Sequence, residues 1–122
     1  MKELTKAEEQ VMQILWEKEH AFVKEILEAF PEPKPAYNTI STIIRILEKK
    51  AFVSYEAFGK SHRYYPVISK ESYTSFSMKK LLTGYFEGSI GQMVSFFMKD
   101  SNLTTNELDD ILNIIEDKKE KK

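Results

Sequence analysis

Between Ala36 and Ile68 the chain switches once from helical to alternating periodicity, and this switch restricts the fold more than any other segment. With about 100° per residue, Ile43, Ile44 and Leu47 fall within about 60° of Ile40, so residues from about Tyr37 to Lys50 form an amphipathic helix. Phe52 to Phe58 is then rich in strand formers, Gly59-Lys60-Ser61 supplies a turn, and His62 to Val67 returns as a second strand. A helix feeding directly into a two-stranded ribbon leaves few folds open.

Upstream, Thr5-Lys6-Ala7-Glu8 is a capping box that opens a first helix, with Ala7, Val11, Ile14 and Leu15 on one face and Met12 and Trp16 broadening it. A second helix covers Val23 to Phe30, with Val23, Ile26, Leu27 and Phe30 inward. Pro31, Pro33 and Pro35 end it and force an extended connector. Three helices and a hairpin make a winged helix-turn-helix, assigned to residues 1–69. The expected class is therefore mainly α with a small β-hairpin, followed by a C-terminal helical arm over residues 70–122. In that arm a fourth helix spans about Lys70 to Leu82 and a fifth about Ser89 to Lys99. The last opens on Thr104-Thr105-Asn106-Glu107, a capping box with Leu103 placed to staple Leu108. About fifty residues are marginal for an independent core. Leu81, Leu82, Phe86, Ile90, Met93, Val94, Phe97, Leu108, Ile111, Leu112 and Ile115 supply more apolar surface than three short helices can hide. A dimerisation arm completed by a second copy is expected; the alternative is packing back onto the first lobe as a monomer.

The net charge of −1 hides an uneven distribution. From Lys34 to Arg63 six bases face two acids, a local excess of +4, whereas from Glu71 onward seven lysines face nine acids. The basic excess lies on the helix-plus-hairpin unit, where phosphate contacts would be needed. The helix's polar face carries Asn38, Thr42, Arg45 and Lys49, with Ser41 on its flank. Asn suits adenine, Arg suits guanine, and Thr offers a hydroxyl with a methyl for thymine. Asn38, Ser41, Thr42 and Arg45 are the candidates for base edges, and Thr39 and Lys49 for flanking phosphates. Lys34, Lys50, Lys60 and Arg63 are further phosphate candidates, with Ser61 and His62 beside them at the hairpin tip. The bland readings are a solvated helix face and a solvated hairpin tip. A rival function is a winged helix that docks a protein partner without reading DNA.

Enzyme chemistry finds no footing. His20 and His62 are isolated, and no catalytic triad, metal-ligand spacing or Gly-rich phosphate loop occurs. The absence of cysteine removes thiol chemistry, and a cytoplasmic protein with no catalytic residues, no metal and no cofactor is expected. No apolar run reaches the roughly 18–20 residues needed to span a bilayer, and no signal peptide is visible.

Several ordered motifs together resemble the penicillinase (β-lactamase) and methicillin-resistance repressor family of winged-helix regulators. They are Leu4-Thr5-Lys6-Ala7-Glu8 with Val11-Met12 and Leu15-Trp16, then Thr39-Ile40-Ser41-Thr42-Ile43-Ile44, Leu47 to Val53, Arg63-Tyr64-Tyr65-Pro66, and Gly84 through Leu112. The resemblance covers nearly the whole chain. It implies a homodimeric transcriptional repressor whose partners are double-stranded palindromic operator DNA, a second copy of itself and, indirectly, a membrane sensor-protease. It also implies release by cleavage in the arm at a bond aligned with Phe96-Phe97, where Phe96 replaces the family's usual Asn. The family's copper branch carries Cys-x-Cys pairs, which this chain lacks. Arg45 is basic where the family commonly places Arg at Ile46, and Ala51 replaces a common Gly at the helix exit.

Overall fold

A computed structural model describes residues 1–100 and 104–120. Helix α1 (Lys6–Lys18) starts at the expected box: Glu8 N–H donates to Thr5 Oγ1 at 3.2 Å, and Glu8 Oε1 accepts from Thr5 N–H at 2.9 Å. Strand β1 (Ala21–Phe22) and helix α2 (Val23–Ala29) follow, with Glu25 Oε1 accepting from Phe22 N–H at 2.9 Å. After the proline connector come α3 (Tyr37–Lys49), β2 (Val53–Phe58) and β3 (Ser61–Pro66). The fold is mostly helical with a small antiparallel sheet, the winged helix expected. The expected two-stranded ribbon is corrected to three strands in the order β1-β3-β2, with Ala21 opposite Tyr64 and Tyr64 opposite Tyr55.

The core is built mostly by the inward faces the periodicity marks, although Ala7, expected on the inward face of α1, is exposed and Glu8 beside it is buried. Val11, Met12, Leu15, Ile26, Ile40, Ile44, Leu47 and Phe52 are fully buried. The exit of α3 is a Schellman motif: Phe52 N–H reaches the Leu47 carbonyl at 2.9 Å and Ala51 N–H the Glu48 carbonyl at 3.0 Å, with Ala51 at φ 65°. Phe52 and Leu47 are both buried at this joint, so the same residues end the helix and aim the strand.

The chain divides into two compact units, Met1–Met78 and Lys79–Lys122. The division falls beyond the expected 69/70 boundary because helix α4 (Lys70–Phe86) begins as part of the first unit. There Tyr73 is buried, its hydroxyl accepting from Leu4 N–H at 2.9 Å and its ring edge-on to Phe52 at 5.6 Å. Trp16 Nε1 donates to the Ile68 carbonyl at 2.9 Å beside it.

In the second unit α4 runs through Gly84 to Phe86, a turn longer than the glycine suggests, and leaves through Glu87 and Gly88, both at positive φ. Helix α5 (Ile90–Asp100) has Ser89 Oγ accepting from Gln92 N–H. Helix α6 (Thr105–Glu120) has Thr104 Oγ1 accepting from Glu107 N–H at 3.2 Å. The staple expected from Leu103 lies outside the described residues. Among the described residues no helix is long and apolar enough to cross a membrane.

Candidate nucleic-acid interface

Helix α3 presents three longitudinal stripes. Ile40, Ile44 and Leu47 face the core. Asn38, Thr42 and Lys49, about opposite on the helical wheel, are exposed. Between them, Tyr37, Ser41, Arg45 and Glu48 repeat at helical spacing and line one wall of an open groove of ≈ 930 Å³. The other wall is the hairpin, through Tyr55, Phe58, Lys60, Ser61, His62 and Tyr64, with the start of α2 closing one end. Five residues marked by the sequence as DNA contacts, namely Ser41, Arg45, Lys60, Ser61 and His62, are thus brought together around one concavity.

The hairpin wall is stiffened by its aromatics. Tyr55 and His62 stack with ring centroids 3.9 Å apart and 10° between planes, and Tyr64 lies 5.7 Å from Tyr55. Burial first, then the nearby Glu48 carboxylate, pushes the Tyr64 phenol above its ordinary value, with Arg45 opposing, so the hydroxyl stays protonated. Phe58, at the tip, meets Phe22 edge-on at 5.8 Å, which ties the hairpin to β1. Tyr37, Tyr55 and Glu48 are groove residues that carry no mark in the sequence pattern. A helical wheel places Glu48 beside Arg45, but only the fold shows which flank of α3 the hairpin overhangs.

Several side chains have their direction set by neighbours. Thr42 Oγ1 donates to the Asn38 carbonyl at 2.9 Å, which leaves its methyl and lone pairs outward. Thr39 is exposed on the flank away from the groove. Arg63 is paired across the hairpin with Glu56 at 3.2 Å and lies 4.7 Å over the Phe58 ring, so it braces the hairpin besides carrying charge.

Two lysines expected on phosphates have partners within the protein. Lys34 Nζ donates to the carbonyls of Phe30 at 2.7 Å and Glu28 at 2.8 Å, closing the C-terminal end of α2. Lys50 Nζ sits 2.7 Å from Glu8 Oε1, with the two side chains 20% and 6% exposed. Burial raises the Glu8 pKa, but the hydrogen bond from Lys50, the bond from Thr5 and the Lys50 charge outweigh it and hold the carboxyl below its ordinary value.

In the second unit none of the described side chains is buried. Leu81, Ile90, Phe97 and Leu112 are exposed, and Leu82, Phe86, Met93, Val94, Leu108 and Ile111 are half-buried. The Ile115 side chain lies outside the described residues. Phe96 and Phe97 lie inside α5; Phe96 is 5.7 Å from Phe86, and the adjacent rings are 6.0 Å apart.

The penicillinase repressor family profile matches residues 4–117. The chain belongs to that family. As a member it is a DNA-binding transcriptional repressor. Among its relatives in the family is the methicillin resistance regulatory protein MecI of Staphylococcus aureus, 27% identical over 117 residues that cover 95% of each chain. The MecI protein of Mammaliicoccus sciuri is 26% identical over the same length. The penicillinase repressor of Bacillus licheniformis is 23% identical over 121 residues, 98% of this chain and 94% of the relative.

Proposed function

We propose that this family member acts as a homodimer on a pseudo-palindromic operator in the cytoplasm, with α3 in the major groove and the hairpin along the adjacent backbone. The convergence of Ser41, Arg45, Lys60, Ser61 and His62 on one groove carries this reading, because a helix and a wing that bracket one backbone strand must share such a concavity. Arg45 and Asn38 read base edges bidentately, and Thr42 offers its methyl to a thymine. Lys49 and Lys60 neutralise phosphates, and Thr39 donates to one. The unit Met1–Met78 is the reader and Lys79–Lys122 the pairing arm, supported by an apolar surface that its own helices leave half open. The match to relatives named for penicillinase and for methicillin resistance supports antibiotic-resistance or related sensor-controlled genes as the target.

Repression follows from occupying promoter DNA, and release from anything that splits the pair, since one half-site alone forfeits the effective concentration that linkage supplies. Cleavage at Phe96-Phe97 would need α5 to open first, because proteolysis concentrates in exposed loops rather than helix interiors.

The test is selection of bound duplexes from a random pool by purified protein, followed by salt titration of the best one. A two-fold symmetric sequence with an affinity that falls steeply with salt is expected, by about 0.9 in log–log slope for each phosphate neutralised. An asymmetric or salt-independent outcome would overturn the reading in favour of a protein partner for α3.

A further inference from the structure

Lys49 and Lys50 look interchangeable in the sequence, yet they lie about 100° apart around α3 and have different partners. Lys49 is exposed, whereas Lys50 is turned toward α1 and sits 2.7 Å from Glu8 Oε1. That same oxygen accepts the Thr5 N–H at 2.9 Å, so one carboxylate atom joins the cap of α1 to the end of α3. Both side chains are largely withdrawn from water, and a charge left there without its partner would be poorly solvated. The tie is placed one residue before Ala51 and the buried Phe52, where α3 hands over to the hairpin.

We propose that Lys50 is a positioning residue that touches no phosphate: its ion pair with Glu8 sets the tilt of α3 against α1 and so the register in which Arg45 and Asn38 meet bases. This rests on the DNA reading above. Ile40, Ile44 and Leu47 hold one face of α3 in the core, and the Lys50–Glu8 pair adds a polar tie to α1 at the end of the helix, so that its loss shifts tilt rather than unseating the helix and acts on sequence discrimination rather than on total charge. Glu8 belongs to the same device. Its substitution removes a negative charge, which on electrostatics alone would favour DNA, whereas the positioning role requires that discrimination falls.

The experiment compares binding of a duplex selected by the native protein with binding of a random duplex of equal length, each titrated with salt. Lys50→Gln and Glu8→Gln are expected to lose about tenfold in preference for the selected duplex, with the salt slope unchanged, and Lys50→Arg is expected to restore most of it. Lys49→Gln, by contrast, should lower the slope by about 1.8, about 0.9 for each half-site. Should either single variant fail to fold, Glu8→Gln/Lys50→Met removes both charges, leaves neither stranded, and is expected to show the same loss of preference. A drop of about 1.8 in the slope of Lys50→Gln, or of the double variant, would make Lys50 a phosphate contact in each half-site and overturn the proposal. Unchanged preference in the variants that fold would overturn it too. Native protein that shows no salt dependence would instead sink the DNA reading itself, a distinguishable result.

Discussion

Ala51 occupies a backbone conformation, φ 65°, that glycine adopts without a penalty and that brings an alanine Cβ against its own carbonyl. The Schellman closure and the burial of Phe52 hold it there. Ala51→Gly is therefore expected to raise stability, by about 0.5–1 kcal/mol after the extra chain entropy of glycine, seen as a thermal midpoint a few degrees higher. Glu8 gives a pH signature of known sign. Its folded pKa lies below the ordinary 4.5, so its contribution is fully present above that value and is lost as pH falls through the lowered folded pKa. In denaturant titrations between neutral pH and pH 3, native protein should lose stability on acidification more steeply than Glu8→Gln. The strained exit was legible once Ala51 was set against the family's glycine. The partners of Lys34 and Lys50 were not, since an ammonium group on a flexible stem carries no local sign of which carboxylate or carbonyl it will meet.

At the level of elements, the proposed mode of binding divides recognition between α3, which reads, and the hairpin, which holds. Arg45→Ala is expected to weaken binding to the selected duplex by about 1–3 kcal/mol and to relax base preference at one position in each half-site. Lys60→Ala should weaken binding to all duplexes alike and lower the salt slope by about 1.8, about 0.9 for each half-site, measured on selected and random DNA side by side. The apolar and polar faces of α3 were legible because helical spacing assigns them, whereas the groove-lining stripe with Tyr37 and Glu48 was not, since it exists only where the hairpin overhangs the helix. Strand β1 was not: two residues, Ala21 and Phe22, carry no periodicity, and their pairing with Tyr64 and Arg63 is made across some forty residues of chain. The length of α4 was misjudged for a related reason. Gly84 weakens helix locally, yet the helix passes through it to Phe86, where the Glu87 and Gly88 turn ends it.

Taken as a whole, the molecule has one finished interior and one unfinished one. Every buried side chain among the described residues belongs to Met1–Met78, while the arm keeps Leu112 56% and Ile90 64% exposed. Ile111→Glu, which charges the middle of the α6 stripe, is expected to give monomers by analytical ultracentrifugation while the reader keeps its fold; a variant that stays dimeric would exclude α6 from the interface. The amphipathic stripes of α5 and α6 were legible in the sequence, but one chain's periodicity states only that something must cover them, not what does. If the arm pairs as proposed, one with no buried side chain among its described residues makes promoter silencing depend on abundance. With pairing as the step that completes it, occupancy rises with roughly the square of protein number wherever monomers predominate. Halving the gene's expression would then cost about three-quarters of the paired species. A cell could leave the silenced state through dilution by growth alone, with no drug and no protease involved.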